Sequence, residues 1–451
     1  MLLRRCATAL AAATVLSASA APAALADASP SPSAEVTLPA GLYGAGDPQY
    51  DAVWRQSTAL LAQDALGVTP AESAVEWLTD QQCDDGSFTS YRADPQAPCD
   101  AETPRDTNAT AMAVQALAAL RGADAGAVGD AVAWLESVRN EDGGWAYYAG
   151  DPASDANSTA VVAGALNAAG RDGSGEDSPA AALSAFQLGC DAPDGQAGAF
   201  AHVPEENGDL KPNGLATASA ALGAQGLGLA AEAAGQDAGT PTLPECDEDG
   251  RFPAERSAQA AAAYLSAELE RNGGYLEFAM PGAEPQPDHS GTALAVIALA
   301  AGGHEDAARE PLNWLADHHG QWQGLNESPA GLGQLVLAVR ATGGDPEAFG
   351  GSDLLARLSA TGPEPQPSKE PKGLASENRD GADGEEGNGA AVWWVVGSIF
   401  VAGVGIGLLV SLRKRGTGTN GSADRSANGP DGSSDGPSDG SSDGSSGGDA
   451  R

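Results

Sequence analysis

One unit recurs through the middle of this chain: an aromatic residue in a helical stretch, then about eleven residues later a turn of the Asp-Gly-aromatic kind, then an Ala-rich helical stretch. Trp77 leads to Asp85-Gly86-Ser87-Phe88, Trp134 to Asp142-Gly143-Gly144-Trp145, and Tyr264 to Asn272-Gly273-Gly274-Tyr275. Looser copies run from Phe186 through Asp194-Gly195 to Phe200, and from Trp314 to Gly320-Gln321-Trp322. Self-similarity at a spacing of about fifty residues means one supersecondary unit stacked on itself, because a single unit cannot bury its own apolar face.

Between the turns, two kinds of helical segment alternate. Six carry the repeat aromatic, at about 70–82, 125–139, 178–188, 253–271, 305–317 and 346–359. Six are small and apolar on nearly every face, at about 50–66, 107–121, 156–169, 213–230, 289–302 and 328–342. A helix apolar around most of its girth must be buried on most sides, so the second kind forms an inner wall. Strict alternation of six inner and six outer helices predicts an all-α fold, a closed α6/α6 toroid of about twelve helices over residues 43–360.

The turns carrying Gln81, Asp85-Gly86-Ser87-Phe88 and Glu141-Asp142-Gly143-Gly144-Trp145, with Asp106-Thr107 and Thr110-Ala111-Met112-Ala113, resemble the repeat of the terpenoid cyclase and protein prenyltransferase toroids. The inner-helix starts are also similar to those of the cobalamin carriers, intrinsic factor and transcobalamin. The resemblance covers about residues 43–360 and implies fold more than activity, since one toroid hosts unrelated chemistries. The carriers imply a corrinoid as ligand and a β-rich partner domain closing over it; here such a domain would have to come from a separate chain.

The ends add a compartment. Residues 1–26 read as a secretory signal, with Arg4 and Arg5 ahead of an apolar run and a small-residue site at Ala24-Leu25-Ala26. A flexible segment, 27–42, precedes the toroid. Residues 361–389, rich in Pro, Glu and Gly, read as a solvated stalk. Residues 390–412 are uncharged and, at 1.5 Å per residue, reach about 34 Å, enough for one transmembrane helix. Arg413-Lys414-Arg415 follows, which places the Gly/Ser/Asp tail, 413–451, in the cytoplasm and the toroid outside, at the cell membrane. In that compartment Cys83, Cys99, Cys190 and Cys246 are expected as disulfides; three pairings are possible, and Cys83 with Cys99 and Cys190 with Cys246 is the favoured one. The formal charge of −39 excludes nucleic acid as a partner.

The inner helices open in register: Asp106 with Thr110, Asp155 with Thr159, Asn213 with Thr217, and Asp288 with Thr292. Asp and Asn at these places are N-caps. Parallel inner helices also bring them to one mouth, together with Asn108, Asn157 and His289, and with Tyr147 and Trp322 from the connectors. Polar groups converging on an Ala/Leu-lined cavity suit a small-molecule site. No DxDD acid of the cyclases occurs, no cysteine sits on an inner helix to hold the prenyltransferase zinc, and no GxSxG, HExxH or Walker loop is found.

The expected protein is therefore a membrane-anchored toroid that binds a small hydrophobic or corrinoid-like molecule, without a metal site, and delivers it to a transporter. A cyclase-like or glycosidase-like enzyme and a cell-surface interaction platform are the alternatives. Protease added to intact cells should remove the 27–360 region and spare a small fragment carrying the tail; a digested tail with a protected toroid would reverse the orientation.

Overall fold

The computed structural model describes residues 39–366, apart from 172–174, 176–177 and 279–283. Contacts divide the chain into Met1–Pro371 and Lys372–Arg451, and every described residue belongs to the first unit. The expected signal, span and tail lie outside the described residues. Within them, no helix is long and apolar enough to cross a membrane.

Six inner helices, α1 (Ala52–Ala65), α3 (Thr107–Arg121), α5 (Ala156–Ala168), α7 (Gly214–Gly223), α9 (His289–Ala301) and α11 (Pro329–Ala341), alternate with six outer ones. The outer set is α2 (Glu72–Asp80), α4 (Gly126–Ser137), α6 (Pro179–Leu183), α8 (Ser257–Asn272), α10 (Glu305–His318) and α12 (Leu354–Ser359). Each inner helix lies against the next, from α1 through α3, α5, α7 and α9 to α11, and α11 returns to α1. Each outer helix covers the inner helix before it. The inner wall is a closed cycle, and its Ala, Val and Leu residues are buried in one continuous core.

Closure is fastened where the chain ends meet. Tyr43 donates its hydroxyl to the Pro363 carbonyl at 2.9 Å, the Gly44 amide donates to Thr361 at 2.8 Å, and the Gln366 amide donates to Thr69 at 2.9 Å. The first residues of the expected stalk, 361–366, are thus bonded to the toroid. Arg340 on α11 donates through Nε to the Ala65 carbonyl that ends α1, at 2.6 Å.

The repeat turn is explained by one set of bonds. At α3, α5 and α7 the N-cap amide donates to the carbonyl of a buried connector residue: Asp106 to Phe88 at 3.0 Å, Asp155 to Trp145 at 3.0 Å, Asn213 to Phe200 at 2.9 Å. The same connector residue returns its amide to the threonine four positions past the cap, Phe88 to Thr110 at 2.9 Å, Trp145 to Thr159 at 3.0 Å, Phe200 to Thr217 at 2.9 Å. Two residues farther along, the connector carbonyl accepts from the preceding inner helix, Ser90 from Val53, Tyr147 from Thr107, His202 from Ala156. One strip of backbone therefore clips two successive helices together. The turn's glycine lets that strip come close: Gly86 has φ +89 and a Cβ there would stand 2.3 Å from the Asp130 carbonyl, and Gly198 has φ +87 and would stand 2.3 Å from Ala260.

Four details depart from the expected elements. In the fourth repeat the clipped residue is Leu276, bonded to Thr292 at 2.9 Å, and not Tyr275, because α8 runs to Asn272 and the close-approach glycine is Gly274. The segment expected as helix to residue 230 stops at Gly223, and Leu227 and Leu229 cross the ring instead, with Gly226 at φ +66 turning the chain. The last outer helix is short because Gly350 and Gly351 adopt positive φ after a 3₁₀ turn at Pro346–Ala348. A small antiparallel hairpin, β1 (Leu276–Phe278) with β2 (Gln286–Asp288), enters an otherwise helical fold. The disulfides Cys83–Cys99 and Cys190–Cys246 are both formed.

The clip yields a test. Thr159→Val keeps shape but leaves the buried Trp145 amide without an acceptor, which should cost about 1–3 kcal/mol in urea unfolding, while Thr159→Ser should recover most of it. Equal stability of the Val and Ser variants would show that the bond does not hold the connector.

Candidate functional site

The ring encloses a cavity of about 350 Å³ to which all six inner helices contribute. Its walls follow a simple register. The residues two and six past each N-cap line it: Asn108 and Met112 on α3, Asn157 and Val161 on α5, Leu215 and Ser219 on α7, Ser290 and Leu294 on α9, Ala330 and Gln334 on α11. Trp54 and Thr58, one turn apart, are their counterparts on α1. These positions share one helix face, whereas the position four past the cap lies about 200° around from the second. Thr110, Thr159, Thr217 and Thr292 consequently point into the wall, fully buried, with their hydroxyls committed to the connector clips.

Because the lining residues all follow the caps closely, the caps share one end of the ring, the mouth. Asp106, Asp155, Asn213 and Asp288 each accept the amide three residues on, at 2.8, 2.8, 2.8 and 2.7 Å. They are helix caps around the mouth, and none of them lines the central cavity. The opposite end is floored by Leu227, Gly228 and Leu229. Gln115 holds that floor, accepting the Leu229 amide at 3.0 Å. A Cβ at Gly228 would collide with the Gln115 carbonyl oxygen at 2.2 Å, so the floor is fitted to this side chain.

The cavity has no charged lining residue. Its polar groups are amides and hydroxyls. Gln334 and Ser290 satisfy one another, Ser290 Oγ donating at 2.7 Å and Gln334 Nε2 donating back to the Ser290 carbonyl at 2.9 Å. Asn108 and Asn157 differ: their Oδ1 atoms are shut off from solvent and accept no hydrogen bond. A buried acceptor without a donor costs about 1–3 kcal/mol. Trp322 reaches the cavity from the connector before α11, and His289 lies 5.6 Å behind it in a stacked arrangement, between Trp322 and Trp314. Burial lowers the His289 pKa below the ordinary histidine value.

The mouth is apolar outside as well. Of the seven large apolar side chains exposed among the described residues, six (Tyr50, Tyr147, Tyr148, Val203, Leu215 and Phe278) belong to the connectors or first turns at this end. The connector aromatics thus divide: Phe88, Trp145 and Phe200 are buried between hairpins, and Tyr147, Tyr148 and Phe278 ring the opening. Next to the cavity, between the starts of α1 and α3, is a smaller recess of about 260 Å³ that shares Trp54 and Asn108 with it and contains Asp51, Ser90, Asp106 and Tyr147. Asp106 accepts from Ser90 Oγ at 3.0 Å, and burial raises its pKa and that of the Tyr147 hydroxyl beside it.

Of the residues expected at the mouth, Asn108, Asn157 and Trp322 line the cavity, as do Thr58, Met112, Gln115 and Gln334, which the sequence reading did not single out. The register of two and six past the cap was present in the sequence and leads to Met112 and Gln334. Gln115's role could not be read, since its partner Leu229 is 114 residues away. Among the described residues no group of three or more His, Cys, Asp or Glu side chains is placed to hold a metal.

No family model matches this chain, and no curated protein matches it. Solved structures similar to it include a type II terpene cyclase, MstE from Scytonema, at 16% identity over 61% of this chain and 73% of that one, with a TM-score of 0.39. A protein from Actinoplanes is 16% identical over 67% and 92% at a TM-score of 0.43, and a sugar epimerase from a ruminal bacterium is 14% identical over 68% and 93% at 0.43. At these scores the likenesses bear on no activity, and the toroid stands on the closed cycle of helix contacts.

The cap geometry predicts how stability responds to one carboxyl. The folded state holds the Asp106 proton more tightly than the unfolded chain, so this group's contribution falls as pH rises from the ordinary value of 3.8 through the raised folded value. Asp106→Asn still caps, and should match or exceed the wild-type stability at pH 7 by up to about 1 kcal/mol. The difference should shrink toward pH 4 in urea melts; a loss of about 2 kcal/mol or more at pH 7 would mean that the charge is stabilising.

Proposed function

We propose that this chain is a binding protein whose central cavity holds a small, uncharged, largely apolar molecule with one or two hydrogen-bond donors. The observation that carries the reading is a cavity built by all six inner helices, free of charged lining and edged by the side chains of Asn108, Asn157 and Gln334. A molecule of that kind covers Leu215, Leu294 and Trp322 and meets amides and hydroxyls on the wall, and the cavity size lies within the usual range for small-molecule sites. A wider planar ligand, a corrinoid included, would rest on the aromatic rim and send only part of itself inward, with a β-rich partner chain as its cover. The expected anchor at 390–412 makes the protein a capture device at the cell membrane, passing its ligand to a transporter.

A cyclase or glycosidase needs a carboxyl group against its substrate. None lines the central cavity; the nearest, Asp51 and Asp106, belong to the neighbouring recess. The binding reading therefore has the better support.

Leu294→Trp and Val161→Trp put bulk into open space rather than into packed core, so folding should be kept while the cavity is filled. With the 27–366 fragment, an uncharged fluorophore such as N-phenyl-1-naphthylamine should bind the wild type saturably and each variant at least about tenfold more weakly, with unfolding midpoints unchanged. Cobalamin, tested alongside, should compete only if the rim contributes. Undiminished binding by both variants would remove the central cavity as the site.

A further inference from the structure

The recess beside the central cavity has a different chemistry. Three aromatic side chains, Tyr50, Trp54 and Tyr147, wall it, with Asp51, Asp106 and Asn108 between them. Tyr50 is 78% exposed, a ring held in solvent at the entrance. The polar residues lining the recess are Asp51, Asp106, Ser90 and Asn108, and no Lys, Arg or His is among them.

Donors nearby are already committed. Arg55 is 4% exposed and gives its guanidinium to the carbonyls of Tyr43, Gly46 and Asp47 and to the Asp51 carboxylate. The first-turn amides at this end are engaged too, Val53 with Ser90, Thr107 with Tyr147, and Ala109 with the Asp106 side chain. Burial raises the pKa of both Asp51 and Asp106, and the Arg55 charge offsets part of that rise at Asp51. A cation needs acceptors and π faces, which the recess has.

We propose that this recess is a second binding site, specific for an organic ammonium ion. The positive head sits against the faces of Trp54, Tyr50 and Tyr147, which attract cations through the ring quadrupole. Asp106 supplies the opposing charge, since Asp51 is ion-paired with Arg55 at 2.9 Å. The chain's formal charge of −39 draws cations toward the surface and disfavours anions. The recess shares Trp54 and Asn108 with the central cavity, so the test includes a variant that fills the central cavity alone.

The test compares two molecules of one shape, choline and its uncharged isostere 3,3-dimethyl-1-butanol, by calorimetric titration of the full-length chain in nonionic detergent. Choline should bind saturably and at least about tenfold more tightly than the alcohol. Tyr50→Ala, with an unchanged unfolding midpoint, and Asp106→Asn, with a midpoint at or above that of the wild type, should each weaken choline about tenfold. Leu294→Trp, which fills the central cavity, should leave choline binding as it is. Equal affinity for the two probes, or absence of saturable binding, overturns the proposal. So does an unaffected Tyr50→Ala variant, whose exposed side chain has no folding role, or loss of choline binding in Leu294→Trp, which would put the ion in the central cavity.

Discussion

The structure depends on a backbone clip made where each connector meets the next inner helix. The buried connector residue gives its carbonyl to the N-cap amide and its amide to a threonine hydroxyl one turn in, so a loop that would otherwise bury unpaired polar groups is fully bonded. The same strip accepts from the preceding inner helix two residues later. Radial packing of Ala-rich helices is nearly non-directional; the clip supplies the direction. It sets the height of each helix against its neighbour and brings the helix starts to one end.

That height determines the site. With the cap at the mouth and the threonine in the wall, helix geometry leaves the second and sixth residues facing inward. Those residues are amides, hydroxyls and apolar groups, and no charge enters the cavity. The carboxylates at the mouth, Asp106, Asp155 and Asp288, serve the helix ends instead. Binding polarity is consequently sorted by position: an uncharged centre, an acidic recess to one side and an exposed aromatic rim.

Closure and depth come from segments outside the repeat. The Tyr43, Arg340 and Thr361 bonds join the two ends of the ring, and the Leu227–Leu229 strip, held by Gln115, limits the cavity to the half nearest the mouth. Gln115 and Arg340 stand on inner helices, but their bonds do not recur from one repeat to the next. They convert a stack of hairpins, which could remain open, into a vessel with a floor.

The sequence by itself determined the alternation of inner and outer helices and the cap residues, because each rests on local periodicity or short spacing. Those signals are local: an N-cap needs only its own first turn, and an all-apolar helix announces its burial wherever it lies. Tertiary structure alone decided that Leu276 and not Tyr275 fills the fourth clip, that α7 ends at Gly223, and that Asn108 and Asn157 lack donors. It also decided which aromatics are buried and which ring the mouth. Each of these depends on partners brought together from distant parts of the chain, and pairwise satisfaction of polar groups across a ring leaves no periodic trace in the sequence.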